Sequence, residues 1–214
     1  MRVSPCGLAA VCMEEAVALA RASAVVSHDH PEGIRGAEAV AAAVFLAKTH
    51  QTKDEIREYI ERHYYKLDFT LDSIRSSYRF DDSCQGSVPQ AIEAFLESES
   101  FEDAIRNAVS IGGDVDTTGA IAGSIAWSYY AAKHDLYSRG SAVSEGAKEM
   151  LEIKQRALAH LPDEFSELAE DFREVSNRRL GTYYRLGFYT SILTRNEEQE
   201  FYDNWESPFA CHGR

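Results

Sequence analysis

Ser110-Ile111-Gly112-Gly113-Asp114-Val115-Asp116-Thr117-Thr118 runs directly into Gly119-Ala120-Ile121-Ala122-Gly123-Ser124-Ile125-Ala126, and the change of character near Thr117 decides how the chain reads. Two glycines permit a tight backbone turn, and Asp and Thr are strong helix caps. Carboxylates there also face the positive end of the helix dipole. The turn therefore starts a helix over 117–130. Its small residues let neighbouring backbones approach closely, which predicts a central place in a helical bundle.

Working outward, the same 3.6-residue periodicity recurs on both sides. Leu8, Cys12, Ala16, Leu19, Ser23 and Val26 share one face of a first helix. His30-Pro31-Glu32 reads as the start of a second, with His30 as its cap, continued by the Ala-rich run 37–47. Thr52 with Glu55 forms a capping box for a third, and Ser87 with Gln90 a second such box ahead of Ala91, Ile92, Phe95 and Leu96. Residues 66–86 hold turn formers and read as a loop. A short helix follows over Phe101–Ser110, and two more are predicted over about 144–160 and, capped by Asp163, 164–175. No segment alternates as a strand. The expected class is all-α, a compact helical bundle domain over 1–175. A tail over 176–214 is rich in aromatics such as Tyr183, Phe188, Phe201 and Trp205.

Length and charge narrow the function. The 214 residues carry 22 Lys+Arg against 35 Asp+Glu, a net charge of −13 that argues against a nucleic-acid partner or an anionic membrane surface. No stretch approaches the roughly 20 apolar residues of a membrane span, and no signal-peptide layout is present. Cys6, Cys12, Cys84 and Cys211 show no C-x-x-C spacing, so reduced thiols and a cytoplasmic location are expected.

Chemistry concentrates at three places. Asp114 and Asp116, with the Thr117 hydroxyl, can converge on one hard cation such as Mg²⁺, Mn²⁺ or Ca²⁺. An isolated Asp-x-Asp at a helix start is more often a cap, so both readings stand on the residues alone. An EF-hand fails: counting from Asp114, Gly119 falls sixth, but the twelfth position is Ile125 and the ninth Ala122. Ser27-His28-Asp29-His30 invites comparison with metal phosphohydrolases that use a His…His-Asp set, but no histidine precedes His28. Finally, Gly86-Ser87 at a helix start offers amides to a phosphate, with the capping box as the plain alternative. The neighbouring Cys84 has no adjacent base to activate it.

Together these pieces resemble a known family. Met1-Arg2-Val3-Ser4-Pro5, Ser27-His28-Asp29-His30-Pro31-Glu32-Gly33, Ser83-Cys84-Gln85-Gly86-Ser87-Val88-Pro89 and Ser110-Ile111-Gly112-Gly113-Asp114-Val115-Asp116-Thr117 occur in this order in ADP-ribosylglycohydrolases of the dinitrogenase-reductase-activating type. The resemblance covers roughly residues 1–170. It implies an all-α hydrolase with two Mg²⁺ or Mn²⁺ ions that cleaves the glycosidic bond joining ADP-ribose to a protein side chain or a small molecule.

On this sequence it makes Asp114, Asp116 and Thr117 metal ligands, and Asp114 and Asp116 the catalytic carboxylates. Met1 and Arg2 match the end of a phosphate loop, His28 a contact to ADP-ribose, and Gly86, Ser87 and Val88 the nucleotide part of the site. The family's other ligands, a Thr-Asp-Asp-Thr motif and a Glu, belong to an N-terminal portion preceding these motifs. The chain is accordingly expected to be the C-terminal part, truncated before Met1, with half of the dinuclear site and a separate N-terminal fragment as one possible partner. The alternative is a non-catalytic remnant that keeps the scaffold and binds ADP-ribose or a single metal ion.

Overall fold

The computed structural model describes residues 1–134, 136 and 144–190, without the side chains of 177 and 180–190. Among them are ten helices and no strand, as the periodicity predicts. They are α1 (Ser4–Ala9), α2 (Met13–Val25), α3 (Pro31–Lys48), α4 (Lys53–His63), α5 (Leu71–Ile74), α6 (Cys84–Leu96), α7 (Phe101–Ser110), α8 (Val115–Lys133), α9 (Glu145–Leu158) and α10 (Asp163–Thr190). No described helix is long and apolar enough to cross a membrane.

The helix at the heart of the reading is central. α8 packs against α1, α3, α6 and α7. Its Ile121 and Ile125 join Val40 and Val44 of α3, Ile56 and Ile60 of α4, and Ile92 and Phe95 of α6 in one buried core. The two glycines of α8 are not points of close approach, however. A Cβ at Gly119 would meet nothing within 4 Å, and one at Gly123 would meet only Ile105, at 3.5 Å. Close approach is achieved at Gly7, where a Cβ would run into the Ala41 carbonyl, and at Gly36, where it would lie 2.8 Å from Cys84 Cβ.

The expected first helix is in fact two. α1 ends at Ala9, Ala10 is extended, and α2 starts after Cys12. Two distant side chains hold the break. Lys48 Nζ donates to the carbonyls of Leu8 (2.7 Å) and Ala10 (2.5 Å), satisfying the C-terminal end of α1. The buried Glu15 accepts from the Val11 amide at 2.8 Å and from Arg179 of α10 at 2.5 Å. Burial pushes the Lys48 ammonium down to about 8, with Glu15 opposing the shift.

Other starts follow their caps. His30 Nδ1 accepts from the Glu32 amide at the head of α3, and the Thr52–Glu55 box is complete. The box expected at Ser87 is not formed. The cap of α6 is Ser83, which accepts from the Gly86 amide at 3.1 Å. Ser87 lies inside the helix, buried, donating back to the Ser83 carbonyl at 2.8 Å. This four-residue shift of the cap moves the first turn of α6 back to Cys84–Gly86.

The expected loop 66–86 contains the single turn α5, capped by Thr70. α10 runs from Asp163 to Thr190, across the boundary expected at 175. The aromatic residues beyond 190 lie outside the described residues. Cys6 and Cys84 are free thiols, as expected.

Candidate functional site

The Met1 amine lies near Cys84 and Asp114, Gly36 of α3 lies against Cys84, and Tyr78 touches both Gly86 and Gly113, so the starts of α1, α3, α6 and α8 stand near one another. The turn before α8 supplies the centre of this group. Gly112 and Gly113 adopt φ of 76° and 73°, a left-handed pair that a side chain would strain. They reverse the chain so that Asp114 caps α8, accepting from the Thr117 amide at 3.4 Å, and the Thr118 hydroxyl donates to the Asp114 carbonyl at 3.0 Å.

Asp116 shares the same amide, at 3.2 Å. The two carboxyl groups lie close enough to influence each other. That influence, followed by the Thr117 hydroxyl and amide, holds the Asp114 carboxyl below the usual carboxylate range. Asp114 is half-buried and Asp116 exposed.

The capping and ligation readings are thus both compatible with this turn. Two carboxylates and a hydroxyl on one turn are hard oxygen donors of the kind that Mg²⁺ or Mn²⁺ takes, and Asp114 and Asp116 already lie close together. Among the described residues no group of three or more His, Cys, Asp or Glu side chains converges to hold a metal. Asp114, Asp116 and Thr117 could supply three oxygen donors, which by themselves do not complete a coordination shell.

The remaining candidates form two groups around the pair. The Met1 amine lies near Asp114 and Cys84; burial pushes it down from its ordinary value and the two neighbours oppose that shift. The Arg2 guanidinium donates to the Ser27 hydroxyl and, at 3.3 Å, to the Ser23 carbonyl at the end of α2. The Ser27 hydroxyl in turn is 2.7 Å from His28 Nδ1, so Arg2, Ser27 and the exposed His28 form one hydrogen-bonded chain.

On the other side stand the residues of α6. Gly86 is half-buried beneath Asp81, and Ser87 and Val88 are buried at 4% and 3% exposure. Of the three nucleotide-site candidates, Gly86 is therefore nearest the surface, while the Ser87 hydroxyl is engaged by its own helix. Cys84, half-buried, has its thiol pushed up by burial, which leaves it a poor nucleophile. Asp81 accepts from the Ser83 amide at 2.8 Å and serves the start of α6.

One contact had no signal in the sequence. Tyr78, in the stretch read as loop, donates its hydroxyl to the Gly86 carbonyl at 2.7 Å and lays its ring against Gly113. It joins the two turns that carry the candidates. Neither periodicity nor motif spacing marks it, because its role depends on a contact 35 residues further along the chain.

Comparison with known proteins identifies the family. The sequence profile of the ADP-ribosylglycohydrolase family matches residues 1–179, and the chain belongs to that family. A protein of Archaeoglobus fulgidus, described only as uncharacterized, is 30% identical over 141 residues, which are 58% of this chain and 46% of that protein. The matched segment spans about half the length of that relative.

Proposed function

We propose that this chain carries one half of a divalent-cation site for hydrolysis of the glycosidic bond between ADP-ribose and a protein side chain or small molecule. The observation that carries the reading is the common placement of the Asp114–Asp116 turn, the Arg2–Ser27–His28 chain and the start of α6 at one end of a bundle belonging to this family.

In this reading Mg²⁺ or Mn²⁺, when bound, would orient the ribose hydroxyls and make the attacking water more acidic. The chain's own residues do the rest. Asp114, Asp116 and Thr117 hold the cation, and the exposed Asp116 leaves the carboxylate pair open to the substrate side. Arg2 offers a planar, permanently charged set of donors to a diphosphate, fixed in direction by Ser23 and Ser27. His28 contacts the ribose, and the Gly86 turn borders the nucleotide. Water adds to the anomeric carbon as the bond to the leaving group breaks. The carboxylate pair takes the water's proton and passes it to the leaving group, so that hydroxyl ends on the anomeric carbon and the proton on the departing atom.

A second reading is favoured by one observation, the absence of a third convergent ligand among the described residues. In it the chain is a non-catalytic remnant that binds ADP-ribose or one cation. Incubation of the whole chain with an ADP-ribosylated protein and Mn²⁺ separates the two. Release of ADP-ribose that stops with EDTA and in Asp114→Ala supports the hydrolase. ADP-ribose binding without release supports the remnant, and neither binding nor release rejects both.

A further inference from the structure

The segment 78–81 crosses the first turns of both α6 and the Asp114 turn, and it does so at the two glycines that permit it. A Cβ on Gly113 would lie 2.6 Å from Tyr78 Cε1 and 3.2 Å from the Arg79 carbonyl oxygen. A Cβ on Gly86 would overlap the Asp81 carboxylate. Tyr78 adds a directed bond to this packing, its hydroxyl donating to the Gly86 carbonyl at 2.7 Å. Asp81 is itself fixed by the Ser83 amide, and Ser83 caps α6.

Gly113 immediately precedes Asp114, and its left-handed backbone is not enforced by any side chain of its own. A turn of two glycines has high conformational freedom, so something outside it must select the conformation that brings Asp114 and Asp116 close to each other. The Tyr78 ring is the side chain that touches it. Burial pushes the Tyr78 phenol up, with Asp81 and Asp114 adding to the shift, so it remains a donor throughout the physiological range.

We infer that Tyr78 is a positioning residue: it ties the Gly112–Gly113 turn to the start of α6 and thereby sets the geometry of the Asp114–Asp116 carboxylates for a divalent cation. The inference about the cation rests on the function proposed above, whereas the tie between the two turns does not.

The test uses the whole chain with Tyr78→Phe, which keeps the ring and removes the hydroxyl, and Tyr78→Ala, which removes both. Tyr59→Phe, in the separate Tyr59–His63–Tyr64 ring cluster, is the control. Amide hydrogen exchange over 111–118 is expected to speed up about fivefold in Tyr78→Phe, the change that one hydrogen bond of ordinary net strength accounts for. Mn²⁺ affinity, read from the electron paramagnetic resonance of free Mn²⁺, is expected to weaken by a similar factor while far-ultraviolet circular dichroism and the control stay unchanged.

Unaltered exchange over 111–118 in Tyr78→Phe overturns the tie, whatever happens to Tyr78→Ala. Faster exchange with unchanged Mn²⁺ affinity overturns the positioning role. Should the wild-type chain bind no Mn²⁺, the proposed function fails, and the exchange arm alone still decides whether Tyr78 holds the turn.

Discussion

Asp114→Ala combined with Asp116→Ala is expected to weaken Mn²⁺ binding by at least about a hundredfold, since loss of partners outside the first shell alone typically costs about 10- to 100-fold. The effect should be large because the double change removes both carboxylates of the proposed ligand set, which influence each other across one turn. The fold should tolerate the double change less badly than the site does. Asp114 is a cap, and losing a cap costs about 1 kcal/mol. Asp116 is exposed. Asp114→Asn separates the two roles: it can still accept from the Thr117 amide, so it should recover most of the lost stability while leaving cation binding impaired. Calorimetric titration with Mn²⁺ beside a urea melt of each variant checks both halves.

The largest effect on stability is expected at Phe95. Its side chain is fully buried, with no exposed surface, in the core formed with α8. The ring meets Tyr129 edge to face at 5.3 Å between centroids, and Lys53 Nζ lies 5.2 Å from its centre. Lys53 also donates to the Leu96 carbonyl at the end of α6, at 3.2 Å. Phe95→Ala would leave a cavity at the contact between α6 and α8 and remove the surface that Lys53 rests on. A cost of about 3–5 kcal/mol follows from the buried volume. Against a total stability of about 5–15 kcal/mol, this is enough to bring the chain close to unfolding. A urea denaturation midpoint near that of wild type would show that the core collapses around the missing ring. Because α6 and α8 carry the Gly86 turn and the Asp114 turn, the same variant should loosen the site without touching it.

The parts that could be read from the sequence are those fixed by neighbours a few residues away. Helix starts at His30, Thr52 and Asp114 follow from side chains that reach amides two or three residues on. The glycine pair before Asp114 announced its turn because no other residue adopts two successive positive φ values as readily. Features fixed by distant residues could not be read this way. Helical spacing continued unbroken from Leu8 to Val26, yet Lys48 and Glu15 select an interrupted chain. At α6, Ser87 and Gln90 have the spacing of a capping box, but Ser83 offers an equivalent cap one turn earlier that places Val88 and Pro89 in the core. Tyr78 is the same case at the site. Two glycines and a carbonyl recruit it through space, and only the positions of α6 and α8 reveal it. The family motifs were more informative than the periodicity because they sample one end of several helices at once.

The central claim is that this end of the bundle recognises ADP-ribose through a divalent cation held at Asp114 and Asp116. Calorimetric titration of the whole chain with ADP-ribose, with Mn²⁺ and again with EDTA, addresses it most directly. Saturable binding that tightens with Mn²⁺ and loses that enhancement in Asp114→Ala/Asp116→Ala is expected. Binding of equal strength with and without Mn²⁺, or none with Mn²⁺ present, would contradict it.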